Sequence, residues 1–309
     1  MKAIRIHEFG GPEVLKYEDA PIPTPKSDEV LIKVYASGVN PIDWKIRAGY
    51  GQEKFPVELP LIPGWDVSGE IEEVGSDILN FRKGDEVYSR PDPTRNGTYA
   101  EYVVVKADQV NSKPKCIDHD KAAAIPLAGL TAWQGLFEHG NLEAGQKVLI
   151  HAASGGVGTF AVQFAKWKGA YVIGTASEEN IDFLYDLGAD EVIDYKTEKF
   201  EDKVKDVDLV FDLIGGDTQK RSLQVIKKGG TLVTTVMPEN QEAAKEKDIN
   251  VVGFLAKSLA ADLQQIADLV DSGKIKPIVS AILPLKDAAE AQRKLESHHT
   301  RGKIVLKVI

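Results

Sequence analysis

The sequence predicts an α/β fold: a parallel sheet covered by helices on both faces, joined to a smaller β domain. Three observations carry this. Strand-length apolar runs alternate with helical segments between residues 147 and 254, a turn almost free of side chains joins the first of those strands to its helix, and the opening stretch of the chain breaks into short β runs.

The chain opens on Met1-Lys2-Ala3-Ile4-Arg5-Ile6-His7, an alternating strand pattern. Val30 to Tyr35, Asp66 to Val74 and Tyr99 to Val105 follow, punctuated by Pro and Gly, and read as a compact β domain. The next strand, Lys147-Val148-Leu149-Ile150, runs into His151-Ala152-Ala153-Ser154-Gly155-Gly156-Val157-Gly158. Here Ala153, Gly155 and Gly158 take the spacing of G-x-G-x-x-G with alanine for the first glycine. A tight turn, a close backbone approach and a helix-to-strand contact all need tiny side chains there, and a helix N-terminus then offers N–H groups and a positive dipole end to a pyrophosphate. The stretch reads as a dinucleotide cradle, with Ser154, Gly155, Gly156 and Val157 as its phosphate-facing residues.

The helix after the turn follows from Val157, Phe160, Ala161, Phe164 and Ala165 at helical spacing, and Gly169 ends it. Tyr171 to Thr175, a helix Ile181 to Leu187, and Glu191 to Tyr195 extend the pattern to β-α-β-α-β. Asp208 to Ile214, Gly229 to Val236 and Ile249 to Phe254 supply three more strands, and ligands of such sheets sit beyond the carboxyl ends of the strands. After an amphipathic helix, Asp287 to Ser297, the last strand Lys303 to Ile309 is surplus to that sheet and is expected to return to the first domain.

Composition fits a large soluble core: 309 residues, 43% apolar, 28% charged. A net charge of −9 argues against nucleic acid or an anionic membrane as partner. The single Cys116 permits no internal disulfide and no cysteine-rich metal site. With no apolar signal block at the start, a cytoplasmic setting is expected, and no membrane span is read.

Gly38-Val39-Asn40-Pro41-Ile42-Asp43-Trp44-Lys45, Pro60 to Asp66, Gly84 to Tyr88, Gly129-Leu130-Thr131-Ala132, the glycine turn, Leu187 to Asp190 and Arg301-Gly302-Lys303 together carry a resemblance. The chain resembles a zinc-independent member of the medium-chain dehydrogenase/reductase superfamily, in the quinone oxidoreductase and enone (alkenal) oxidoreductase branch. The resemblance implies a Rossmann NAD(P)-binding domain, residues 119–259, inserted in a GroES-like catalytic domain made of residues 1–118 and 260–309.

Zinc alcohol dehydrogenases of that superfamily carry Cys where this chain has Asn40 and Gly-His-Glu where it has Gly64-Trp65-Asp66, so no zinc is expected. Without a Lewis acid to activate an alcohol, hydride transfer to a quinone or to the β-carbon of an α,β-unsaturated carbonyl is the expected reaction. The resemblance puts Lys45 near the nicotinamide ribose, where it could hold ribose hydroxyls and polarise the substrate oxygen. Quinone reductases often have a tyrosine there, and Tyr50 is the alternative donor. Asn40 and Asp43 either orient substrate or cap a turn. Trp44, Phe55, Trp65, Trp133 and Phe254 either line an apolar slot for a planar substrate or pack in the core.

At the end of the second strand an NAD-specific site has an acid, but that place is read as Thr175, which is expected to contact the cofactor without repelling a 2′-phosphate. Ser177 and Asn180 could bond a 2′-phosphate, and the resemblance places Tyr195 beside the adenine end. NADPH is therefore expected over NADH, with Glu178 and Glu179 read as first-turn helix residues. The resemblance implies further cofactor contacts at Thr131, Ile214, Val236, Phe254, Leu255 and His299, and His298 lies beside the last. The edge at Val251 to Phe254 suggests a homodimer, a covered edge being the alternative. A protein that binds NADPH in a regulatory or structural role without turnover is the competing reading.

Overall fold

A computed structural model describes residues 1–297 and 299–309, so that His298 lies outside the described residues. The chain divides into two compact units: Met1–Leu127 with Ser258–Gly273 and Pro277–Ile309, and Ala128–Lys257 with Lys274–Lys276.

The first unit contains β1 (Lys2–Arg5), β2 (Lys16–Asp19), β3 (Glu29–Val39), β4 (Val67–Val74), β5 (Glu86–Ser89), β6 (Tyr102–Lys106) and β7 (Val110–Ser112). The second contributes β8 (Lys147–Ile150), β9 (Tyr171–Ala176), β10 (Glu191–Asp194), β11 (Val207–Asp212), β12 (Ile226–Thr234) and β13 (Asn250–Gly253). The chain then re-enters the first unit with β14 (Val279–Pro284) and β15 (Lys303–Lys307).

In the second unit the order is β10-β9-β8-β11-β12-β13, every pair parallel. Numbered from β8, this is 3-2-1-4-5-6, the doubly wound arrangement in which the chain reverses direction across the sheet between its first and fourth strands. The strands are short and rich in Val, Ile and Leu because helices cover both faces. Leu149, Ile173, Val210 and Leu232 meet in one buried cluster on this sheet.

In the first unit β14-β15-β3-β4-β5-β7 form a sheet, with β6 also pairing β3. The surplus strand expected from the sequence is β15: it runs antiparallel to β3, with Ile304 opposite Val39. That register sets Lys303 beside the end of β3, where Asn40 begins the helix Pro41–Arg47. Val30, Ile32, Val67, Ile71 and Val103 fill the interior of this unit. Among the described residues no helix is long and apolar enough to cross a membrane.

Candidate active site

The glycine turn occupies residues 151–155, between β8 and the helix Gly156–Lys168. A Cβ at Gly158 would stand 2.6 Å from the Ala153 carbonyl oxygen and closer still to that of Ala152. Only glycine lets the helix start this near the strand. Ala152 sits at φ 51°, a left-handed conformation that non-glycine residues adopt at a cost of about 1 kcal/mol or more. The turn is thus held tight by its surroundings, and it leaves Ser154, Gly155, Gly156 and Val157 partly exposed at the helix N-terminus, where the first N–H groups have no acceptor in their own helix. Such a terminus attracts a phosphate.

Because all six strands run the same way, their carboxyl ends share one edge. Ser154 to Val157 follow β8, Ser177 follows β9, Tyr195 follows β10, Ile214 follows β11, Val236 follows β12, and Phe254 and Leu255 follow β13. Each sequence-predicted cofactor residue of these loops therefore lies on the edge where this fold takes its ligands. Thr131 lies elsewhere in the unit, buried on the helix Pro126–Trp133.

At the end of β9 the structure corrects one detail. Thr175 is 4% exposed and turned into the protein, where His151 takes its hydroxyl. The direction of the chain of bonds follows from its far end. Ser222 Oγ donates to the Thr218 carbonyl at 2.7 Å, so it accepts from His151 Nε2 at 2.9 Å. His151 Nδ1 then accepts from Thr175 Oγ1 at 3.1 Å, which leaves Thr175 no proton for a phosphate. Burial keeps His151 neutral, pushing its pKa down to about 4. Donors beside this strand end include Ser177, whose oxygen accepts from Asn180 Nδ2 at 3.1 Å, and Tyr195, which is 56% exposed. The nearest strand-end acid, Asp194, is bound to its own turn through Lys196 N and Thr197 Oγ1. Glu178 and Glu179 lie in a short 3₁₀ turn, both exposed, with Glu179 3.9 Å from Lys196 Nζ.

Two residues that the sequence reading missed hold the next two loops. Asp212, fully buried, accepts from Ile214 N, Gly215 N, Gln219 Nε2 and Thr234 Oγ1 at 2.9–3.1 Å. Gln219 Oε1 in turn accepts from Glu239 N at 2.6 Å. The loops carrying Ile214 and Val236 are therefore tied to one buried carboxylate. A comparable clamp holds the segment after β13: Gln134 exchanges hydrogen bonds with the Lys257 backbone at 2.9 and 3.1 Å.

In the first unit, Lys45 and Tyr50 flank Trp44, with Lys45 Nζ 5.8 Å from the indole ring and the Tyr50 ring 6.3 Å away at its edge. Both Lys45 and Tyr50 are exposed. Asn40 is not beside them in the open: it is 2% exposed and its side chain bonds to Asp66 and Lys303. Lys303 Nζ donates to Asn40 Oδ1, to Val39 O at 3.1 Å and to Asp66 Oδ2 at 3.3 Å. Asp66 also accepts from Asn40 Nδ2 at 2.8 Å and from Leu127 N at 2.7 Å. Asp43 caps the helix by accepting from Asn40 N at 2.7 Å, and Tyr99 OH donates to the same oxygen at 2.8 Å. Burial raises both carboxyls, Asp43 to about 7. Trp65 is fully buried and packs in the core, and Trp133 packs against Phe137, Phe164 and Trp167, so neither lines an open slot. His299 is exposed after the helix Ala288–Glu296.

Comparison with known proteins agrees with this architecture. Residues 26–115 match the alcohol dehydrogenase GroES-like domain, and residues 187–306 match the zinc-binding dehydrogenase domain. The mitochondrial NAD(P)H oxidoreductase RTN4IP1 of Danio rerio is 37% identical over 355 residues, covering 100% of this chain and 92% of the relative. The quinone oxidoreductase of Coxiella burnetii superposes with a TM-score of 0.94 at 39% identity, covering 100% of this chain and 99% of the other. The Escherichia coli quinone oxidoreductase solved with NADPH gives 0.90 at 30% identity, with both chains covered completely. The chain belongs to the medium-chain dehydrogenase/reductase family, in its quinone oxidoreductase branch.

One of the family descriptions names zinc, and the residues here do not fit it. Where a thiolate and an imidazole would be needed stand Asn40 and the buried Trp65, and the ammonium of Lys303 is bonded to the oxygens of Asn40 and Asp66. A dication brought there would have to displace that ammonium from both oxygens. Nor do the described residues contain a group of three or more His, Cys, Asp or Glu able to hold a metal ion. The one signal in the sequence that pointed to Lys303 was its place in the Arg301-Gly302-Lys303 motif.

Proposed function

We propose that the protein is an NADPH-dependent, zinc-free reductase of quinones or α,β-unsaturated carbonyls. The observation that carries this reading is the edge of the parallel sheet, where a phosphate-attracting turn, two neutral donors and clamped loops gather without a free strand-end carboxylate. Ser154 to Val157 would hold the pyrophosphate through backbone N–H groups, and Ser177 with Tyr195 would take the 2′-phosphate. A 2′-phosphate would meet hydroxyl donors there, and the acids nearest in the chain, Glu178 and Glu179, are read as first-turn residues of the 3₁₀ turn beyond the strand rather than as partners of a ribose 2′-OH. When bound, the reduced nicotinamide supplies a hydride equivalent.

The protein's own part in the reaction is orientation and charge. Lys45 is exposed and carries donors for the oxygen on which negative charge develops, an enolate or a hydroquinone oxygen. Tyr50, beside the same indole, is the second donor. His299 is read as a cofactor contact and Leu255 as part of the apolar wall. We further read the protein as a cytoplasmic homodimer, in which β13, the last strand of its sheet, pairs with its copy.

The test follows oxidation of NADPH by absorbance, in parallel against a naphthoquinone, a straight-chain alkenal, a ring enone and a plain alcohol with NADP⁺. Turnover of a conjugated acceptor to a hydroquinone or a saturated carbonyl supports the reading. Alcohol oxidation without activity on conjugated acceptors overturns it, and tight NADPH binding with no turnover at all favours a regulatory or structural protein.

A further inference from the structure

The strand register places Lys303 where the carboxyl end of β3 meets the helix Pro41–Arg47. Its ammonium has three hydrogens and three acceptors: Asn40 Oδ1, Val39 O at 3.1 Å and Asp66 Oδ2 at 3.3 Å. The Lys303 and Asp66 side chains are 4% and 0% exposed, so this ion pair is closed off from water. Gly38 makes room for it, because a Cβ there would stand 2.7 Å from Asp66 Oδ2. The pair has no donor left for a substrate.

The helix it abuts is short. Its seven residues are too few to hold their direction by backbone bonds alone, so the helix depends on its anchors. At its N-terminus the anchor is Asn40, whose N–H is capped by Asp43 and whose side chain is fixed by Lys303 and Asp66. At the other end Arg47 bonds to Gly10 O at 3.1 Å, to Gln292 Oε1 at 2.6 Å and to Glu296 Oε1 at 2.9 Å. Lys45 lies between the two anchors.

We propose that Lys303 is a positioning residue for the reductase: its buried ammonium, gripping Asn40 and Asp66, fixes the N-terminus of the helix Pro41–Arg47 and thereby aims Lys45 at the substrate oxygen. A resident cation thus organises the locus through the cap of a helix and touches no substrate. The inference rests on the role given to Lys45 above, and its test separates the two.

The experiment is a double-mutant cycle read in kcat, KM and NADPH dissociation constant, with a naphthoquinone as acceptor and thermal unfolding measured alongside. Lys303→Met should lower kcat by about tenfold or more in the wild-type background, since a displacement of about 1 Å in a catalytic group can cost up to about a hundredfold. In a Lys45→Met background the same substitution should change kcat by less than about twofold, because the group it aims is gone. The melting temperature should fall equally in both backgrounds. Lys303→Arg, which keeps a cation, should recover more of kcat than Lys303→Met. If Lys303→Met does not fold, Lys303→Met with Asp66→Asn removes both buried charges and enters the cycle in its place.

A kcat loss from Lys303→Met that persists undiminished without Lys45 overturns the positioning role and leaves Lys45 intact. A fall in melting temperature with no fall in kcat overturns it equally. If Lys45→Met alone leaves kcat unchanged, the role of Lys45 fails and this inference fails with it.

Discussion

Replacing Gly158 with alanine should weaken NADPH binding far more than it weakens the fold. The added Cβ would stand 2.6 Å from Ala153 O, whereas ordinary contact begins at 3.4 Å, so the first turn of the helix must withdraw by at least 3.4 − 2.6 = 0.8 Å. Nothing nearby is a flexible side-chain end. Both obstructing oxygens belong to the backbone, and Ala153 is itself pressed against β9, where a Cβ at Gly174 would lie 3.0 Å from it. Phe160, Ala161 and Phe164 are fully buried, which keeps the body of the helix from following its first turn. Overpacking of this kind costs about 1–3 kcal/mol, against a total stability of about 5–15 kcal/mol, so the variant should still fold. For the cofactor, a withdrawal of most of an ångström breaks about one charge-assisted backbone bond, worth roughly 1.5–3 kcal/mol or a 10- to 150-fold rise in dissociation constant. Calorimetric titration with NADPH and urea unfolding measure the two effects. Gly155→Ala, whose Cβ would meet only Ala152 O at 3.3 Å, should cost much less stability. A Gly158→Ala protein that is destabilised as expected yet binds NADPH like wild type would show that the turn is not the cofactor's cradle.

Lys45→Met should lower kcat on a conjugated acceptor by about 30- to 150-fold, the loss of one charge-assisted bond made mainly in the transition state, and steady-state kinetics beside Tyr50→Phe would assign the donor. NADPH should bind at least about tenfold tighter than NADH, and Ser177→Ala with Tyr195→Phe should remove most of that ratio, whereas Thr175→Val should leave it, because the Thr175 proton is already held by His151. His151 is neutral in the folded protein, with a pKa near 4 against an ordinary 6.5, so the folded state binds fewer protons in that window. Stability should then be full above pH 6.5 and fall as pH drops towards 4, by on the order of 3 kcal/mol, an effect that His151→Asn should flatten in urea titrations at stepped pH. Asp43, held up at about 7 by burial, acts in the opposite sense, and its share is lost as pH rises from 3.8 to 7. Metal analysis of purified protein should find well under one zinc per chain, with activity unchanged by a chelator; stoichiometric zinc would contradict the fit argued from Lys303.

The sheet was legible because its signal is local. Each strand of the second unit is a short run rich in branched apolar residues, four of them closing on Asp194, Asp212, Thr234 or Gly253, and the strands found in the structure overlap all six read from the sequence. The return of the last strand to the first unit followed from counting, since the parallel sheet was already complete. Side-chain direction was less legible. Thr175 looked available for a phosphate because a strand reading fixes alternation but not which face holds a buried histidine, and His151 comes from 24 residues away. The cluster around Lys303 was beyond reach for the same reason: its bonds to Asp66 and Asn40 join residues 237 and 263 positions apart. Asn40, read as either orienting substrate or capping a turn, is buried at the start of the helix Pro41–Arg47 with its side chain bonded to Asp66 and Lys303, partners that the motif around it does not reveal. The missed pair Asp212 and Gln219 carried only the weak signal of an acid at a strand end before Gly215-Gly216.

The charge at this locus also bears on which acceptors the enzyme can reduce. Lys303 brings one positive charge, and Asp66 cancels it at 3.3 Å, with Asp43 close by on the same cap. Every proton of the ammonium is taken, so an alkoxide or enolate oxygen brought there would find no donor and would face a buried carboxylate. A ground-state alcohol, which must first lose a proton, gains nothing from such a centre. A conjugated acceptor needs stabilisation only as charge builds on an oxygen, and the exposed ammonium of Lys45 can supply that without a metal. On the proposed role of Lys45, a preference for electrophilic acceptors over simple alcohols is therefore the expected outcome of the acceptor assay. Building a zinc site at the locus would take more than placing ligands at Asn40 and Trp65: Lys303 would have to be removed as well, and a variant with Asn40→Cys and Trp65→His but Lys303 kept should still bind no zinc.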